Sequence, residues 1–153
     1  MAEQLSPGPD TQVYSDECAK VSKLKGLKII HLNARSLVNK ISQIRLLCKD
    51  TNADFLCISE SWLSPDHDDI EFSINGYKLF RKDRIGRNGG GVCVYSKINN
   101  NYLIDSIEMN TDLEILVLNI SHRLAKPFYL VTIYRPPNSS AEYMTKIMET
   151  LRP

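Results

Sequence analysis

The chain lacks most of the features that assign a protein at a glance. It has one tryptophan and seven glycines in 153 residues, and no low-complexity tract or internal repeat, which excludes solenoid and fibrous architectures. It has no excess of either charge: nineteen basic against eighteen acidic residues leave a formal charge of +1. No global field therefore draws it to nucleic acid or a membrane, and any such affinity must be local. Its four cysteines, Cys18, Cys48, Cys57 and Cys93, are widely spaced without a C-x-x-C, so zinc and dithiol chemistry find no support. Cys48, Cys57 and Cys93 stand in apolar runs and read as buried free thiols of a reducing compartment. No stretch approaches the roughly 18 apolar residues of a membrane span, and no apolar block of a secretory signal opens the chain. The expectation is a soluble intracellular protein, cytoplasmic or nuclear, with no membrane partner.

What is present is an ordinary globular composition, 42% hydrophobic and 24% charged, enough for one domain. Residues 1–26 are polar and rich in turn formers, and read as a disordered leader. Order is expected from "LKIIHLN" (27–33), a strand ending in an amide. In "SLVNKISQIRLLCKDTN", Leu37, Ile41, Ile44 and Cys48 share one helical face, with Ser36 as a reasonable N-cap. "DFLCIS" (54–59) is a second strand, so the opening is β-α-β with parallel neighbours.

Short polar connections then separate strands at 76–83, 91–97, 101–108, 113–121 and 127–134, which suits antiparallel pairing. "LEILVLNI" is apolar on both faces and belongs in the middle of a covered sheet. "RPPNSS" stops the last strand, because two prolines cannot continue a ladder. An amphipathic helix follows, with Ser139 and Glu142 placed as a capping box.

Polar residues with chemical potential gather at strand ends: Asn33, Glu60 and Tyr134, the last followed by Asn138. Loops at the carboxyl ends of strands build sites in α/β sheets. Asn and Glu offer hard oxygen ligands suited to Mg²⁺ or Mn²⁺, and a phenol can hydrogen-bond a phosphate oxygen without adding charge. Each of these residues taken singly also reads as a surface cap or turn residue. "GRNGGGV" precedes a strand instead of opening a helix, so it reads as a glycine-rich turn and not a nucleotide-binding loop. Arg81, Lys82, Arg84 and Arg87 form the densest basic cluster, open to a solvated-face reading or a DNA-backbone reading. Trp62 and Leu63 read as packing behind the Glu60 turn.

Taken in order, "HLNARSLVNKISQIRLL", "ADFLCISESWL", "GYKLFRKDRIGRNGGGVCVYSK" and "LVTIYRPPNSS" resemble the endonuclease domain of non-LTR retrotransposons. That domain is a branch of the endonuclease/exonuclease/phosphatase superfamily, which also holds apurinic endonucleases. The resemblance runs from residue 27 to about 151. It implies an α+β fold of the four-layer α/β sandwich type, of which this chain supplies roughly the first half, one mixed sheet with flanking helices. It implies Glu60 as the Mg²⁺ ligand, Asn33 as organiser of metal and phosphate, and Tyr134 as the contact to the scissile phosphate. Asn138 would contact DNA, though the second proline lengthens its loop. Arg35 stands where the repair enzymes tend to carry an acidic residue, which implies one metal and a phosphate contact by Arg35. Arg84 and Arg87 would meet the DNA backbone.

The resemblance also implies motifs downstream of the helix at 140–151: a Gly-Asp-Phe-Asn strand end and a Ser-Asp-His signature carrying the general base. Neither occurs in this sequence, and His31, His67 and His122 match no such motif. The expectation is a truncated Mg²⁺-dependent DNA endonuclease domain that does not cleave as this chain. The alternative is a domesticated, non-catalytic module that binds DNA or a protein, with a partner covering the sheet face left exposed.

Overall fold

The computed structural model describes residues 9–98 and 101–152, with side chains described from residue 16. The elements are α1 (Pro9–Ser22), β1 (Ile29–Asn33), α2 (Ile41–Thr51), β2 (Phe55–Ser59), β3 (Tyr77–Lys82), β4 (Val92–Lys97), β5 (Tyr102–Ile107), β6 (Ile115–His122), β7 (Ala125–Ile133) and α3 (Ala141–Thr150). The mixed α+β class is as expected, and β1-α2-β2 is a parallel unit in which Asn33 pairs with Ser59.

The strands do not form one mixed sheet. They form two, a four-stranded sheet ordered β1-β2-β4-β3 and a three-stranded sheet ordered β5-β6-β7. The division follows from burial on both faces of β2, β4 and β6. Phe55, Cys57, Val92 and Val94 of the first sheet meet Leu116, Leu118 and Ile120 of the second in one apolar layer. On the opposite face of the first sheet, Leu56, Ile58, Cys93 and Tyr95 pack with Leu37, Ile44 and Cys48 beneath α2. Ile115 and Val117 point outward from the second sheet onto Ile147 of α3. Two apolar faces on one strand demand two covering layers. The sheet face expected to need a protein partner is therefore covered by the chain's own second sheet. Exposed apolar side chains lie instead on the outer side of that second sheet, at Leu103, Ile107, Tyr129 and Val131.

Three local expectations change. The leader contains α1, which packs beside α2 and buries Cys18, so residues 9–22 are helical. The polar composition hid this helix because its amphipathic stripe is weak and its helicity depends on a neighbour. Ser36 does not cap α2. Its φ is 89°, the helix begins five residues later, and its N-cap is Lys40 without a side-chain cap bond. The Ser139–Glu142 capping box is also absent: Ser140 is the N-cap of α3, and Ser139 Oγ instead accepts from Arg135 Nε at 2.8 Å. All four cysteines are free and buried, and burial pushes the Cys48 thiol up to about 12.

Phe55 is fully buried in the layer between the sheets. Phe55→Ala should cost about 3–5 kcal/mol, read as a fall in urea midpoint at unchanged slope. An effect below about 1 kcal/mol would mean that the two sheets do not share this core.

Candidate active site at the strand ends

The site begins with what happens after β2. Past Ser59, residues 60–62 continue to pair on both sides although they are no longer strand. Ser36 N donates to Glu60 O at 2.9 Å and Leu37 N to Ser61 O at 2.8 Å. On the other side Ser61 N donates to Gly91 O at 3.2 Å and Trp62 N to Gly90 O at 2.9 Å. The backbone reaches these contacts through the left-handed region at Arg35 (φ 47°), Ser36 (89°), Glu60 (54°) and Trp62 (56°). Each such non-glycine residue costs on the order of 1 kcal/mol, and such strain concentrates at functional sites. Held at φ 89° with its amide on Glu60 O, Ser36 lies outside the extended conformation that an N-cap residue adopts.

Glu60 is thereby presented beside Asn33, whose strand ends in register with β2. Asn33 Nδ2 donates to Glu60 Oε1 at 2.7 Å, and Asn33 Oδ1 accepts the Arg35 amide at 3.1 Å. Tyr134 arrives from the other sheet, directly after β7, with its amide bonded to Glu114 O at 3.0 Å. Its phenol comes within electrostatic reach of the Glu60 carboxylate. Burial and then the Glu60 charge push that phenol above its ordinary value, while Arg84 acts in the opposite direction. The phenol therefore stays protonated at neutral pH and serves as a donor. The predicted trio of Asn33, Glu60 and Tyr134 is assembled at one place.

The arginines separate. Arg84 is not free to meet DNA: its Nε and Nη2 donate to the two carboxylate oxygens of Glu114, both at 2.7 Å. Its guanidinium lies over the Tyr134 ring, 5.4 Å from the centroid. Arg81 is likewise occupied, by Asp69, Asp83 and the carbonyls of Ser64 and His67. Arg35 and Arg87 are exposed and line one groove with Trp62. Asn138 is exposed in the turn that Arg135 closes on Ser139, and none of its contacts joins it to the trio among the described hydrogen bonds. Leu63 is buried as expected, but Trp62 is 44% exposed.

Glu114 is the residue that sequence reasoning missed. It is 4% exposed, and besides Arg84 it accepts the Gly91 amide at 2.8 Å. A glutamate at the head of the two-faced apolar run "LEILVLNI" was the available signal, since a buried carboxylate demands a cationic partner. Its oxygen also explains the glycine run. A Cβ on Gly90 would lie 2.2 Å from Glu114 Oε1, and one on Gly91 would lie 2.6 Å from Ser61 Oγ. Both positions have positive φ, so the run is the strand-entry turn expected, packed tightly around an ion pair.

Among the described residues no group of three or more His, Cys, Asp or Glu side chains is arranged to hold a metal. The donor set is one carboxylate and one amide oxygen. It suits a hard cation that keeps several waters and shares a substrate phosphate, the habit of Mg²⁺, and not a closed protein cage. Among the described residues no helix is long and apolar enough to cross a membrane.

The pattern of the endonuclease/exonuclease/phosphatase family matches residues 25–149. No curated protein matches the sequence. Among solved structures, the endonuclease domain of TRAS1, a telomere-specific non-LTR retrotransposon, superposes with a TM-score of 0.61 at 16% identity, over 82% of this chain and 54% of that one. The apurinic endonuclease LMAP of Leishmania major gives 0.64 at 17% identity, over 82% and 44%. An apurinic endonuclease of Archaeoglobus fulgidus gives 0.57 at 18% identity, over 82% and 49%. The chain spans about half the length of these structures, and the likeness is one of fold.

Glu114→Ala would strand Arg84 and loosen both the glycine turn and Tyr134. It should destabilise by about 3 kcal/mol, the low end for a broken buried pair because Arg84 keeps some water. Arg84→Met in the same background should recover part of that loss in thermal denaturation, since the uncompensated charge is then gone. No recovery would show that the pair does not act as a unit.

Proposed function

The chain belongs to the endonuclease/exonuclease/phosphatase family, and from that premise we propose that it is the metal- and phosphate-binding part of a retrotransposon-type DNA endonuclease. The observation that carries this reading is the Glu60 carboxylate, bonded by Asn33 Nδ2 at 2.7 Å and close enough to the Tyr134 phenol of the other sheet for its charge to act on it. Likeness to the TRAS1 and apurinic endonuclease structures supports the choice of DNA as substrate.

Phosphodiester hydrolysis needs a cation to offset charge on the phosphate oxygens and a positioned, deprotonated water. Glu60, with Asn33, would hold Mg²⁺ or Mn²⁺, which when bound supplies that charge. Asn33 fixes the carboxylate by donating to Oε1, which leaves the other oxygen for the cation. The Tyr134 phenol, kept neutral, donates without competing as a nucleophile. Arg84 holds the phenol from behind through Glu114 and the ring face.

A general base is the part not found in the trio. His31 lies within the β1–β2 ladder opposite Cys57. His67 faces Ser64 Oγ at 2.9 Å, and the His122 ring lies tilted against Tyr102 with centroids 5.1 Å apart. None of the three joins the trio among the described contacts, so these residues by themselves bind metal and phosphodiester without cleaving. The reading is thus an endonuclease domain whose cleaving power needs residues beyond those described.

Supercoiled plasmid incubated with the chain and Mg²⁺ should stay supercoiled at the level of a Glu60→Ala control, while gel shift shows Mg²⁺-dependent DNA binding weakened by that substitution. Relaxation above the control would overturn the non-cleaving part of the proposal. Metal-independent binding that Glu60→Ala leaves unchanged would overturn the site itself.

A further inference from the structure

Beside the trio runs an open groove of about 460 Å³ whose lining includes Trp62, Arg35, Arg87, Asn88 and His67. It is cationic: Arg35 and Arg87 are exposed, and no carboxylate contributes to its lining. Trp62, the only tryptophan of the chain, stands 44% exposed in it. Two features mark that exposure as imposed and not incidental. The Trp62 backbone is held at φ 56°, a conformation costly for a bulky residue, and is pinned there by its amide bond to Gly90 O at 2.9 Å. One edge of the indole lies beside Gly89, where an added Cβ would meet Trp62 Nε1 at ordinary contact distance, 3.5 Å. The indole thus lies beside Gly89 and stays open to solvent, two residues from Glu60 along a clamped backbone. Burying it would have released apolar surface from water, as happens to its neighbour Leu63, 3% exposed.

We propose that Trp62 is a stacking platform for an unpaired nucleobase of the strand bound at Glu60, with Arg35 and Arg87 holding the phosphates on either side of that base. Aromatic faces stack any base, and flanking guanidiniums track the backbone. The inference rests on the DNA-binding reading above and adds to it a preference for single-stranded or distorted DNA near the site. It replaces the expectation that Trp62 packs behind the turn: Leu63 does so, and the left-handed backbone turns Trp62 the other way.

Because Trp62 is the sole indole, fluorescence excited selectively at tryptophan reports on this groove alone. The full chain is titrated with a single-stranded oligonucleotide, a perfectly paired duplex and inorganic polyphosphate, with anisotropy of a labelled oligonucleotide measuring binding independently. The oligonucleotide should quench emission saturably and more than the duplex, and polyphosphate should compete for binding with little quenching. Trp62→Ala should weaken oligonucleotide binding roughly 5- to 100-fold, and Trp62→Phe should restore most of it. Binding seen by anisotropy without quenching, equal quenching by polyphosphate, or unchanged affinity in Trp62→Ala would each overturn the stacking role alone. Failure of any DNA to bind would overturn the DNA-binding reading with it.

Discussion

The site depends on one constraint: the segment after β2 is paired along both edges although it is no longer a strand. Amides of Ser36 and Leu37 hold the carbonyls of Glu60 and Ser61 from one side, and carbonyls of Gly90 and Gly91 hold the amides of Trp62 and Ser61 from the other. A backbone fixed at four successive hydrogen bonds cannot relax its left-handed residues. The strain at Glu60 and Trp62 is therefore maintained, and with it the presentation of a carboxylate and an indole two residues apart. Without this clamp, Glu60 would be an exposed glutamate at a strand end with the rotamer freedom such residues have.

Everything else at the site is arranged around that turn. The inter-sheet core formed by Phe55, Val94, Leu118 and their neighbours sets the second sheet in place, so β7 delivers Tyr134 to Glu60. The Glu114–Arg84 pair joins the two sheets a second time. It binds the glycine turn through the Gly91 amide and supports the Tyr134 ring through the Arg84 guanidinium. A buried ion pair is weak evidence for stability, because desolvation offsets much of its attraction. Its effect here is geometric: two bonds at 2.7 Å to a rigid fork leave little freedom for the residues that it touches.

The parallel opening unit, the antiparallel remainder and the central place of β6 were legible because hydrophobic periodicity and short connections are local signals. So was the gathering of Asn33, Glu60 and Tyr134, since each ends or directly follows a strand. The split into two sheets was not legible, because "LEILVLNI" reports that both its faces are covered but not by what. The helix at 9–22 escaped because its side chains are polar and its order comes from packing beside α2. The basic cluster misled for the same reason. Arg81, Lys82, Arg84 and Arg87 are close in sequence, but Asp69 and Glu114, which engage Arg81 and Arg84, come from other parts of the chain.

By itself, then, the sequence determined which residues could do chemistry and which strands could carry them, because residue type and alternation are written locally. Tertiary structure alone decided which charges are free. Arg84 became a strut and Arg87 stayed open because a carboxylate thirty residues further on, Glu114, lies beneath one and not the other. It also decided which way neighbouring side chains face. Trp62 and Leu63 part company because hydrogen bonds from two flanking loops hold the backbone between them in a conformation that no local propensity would choose.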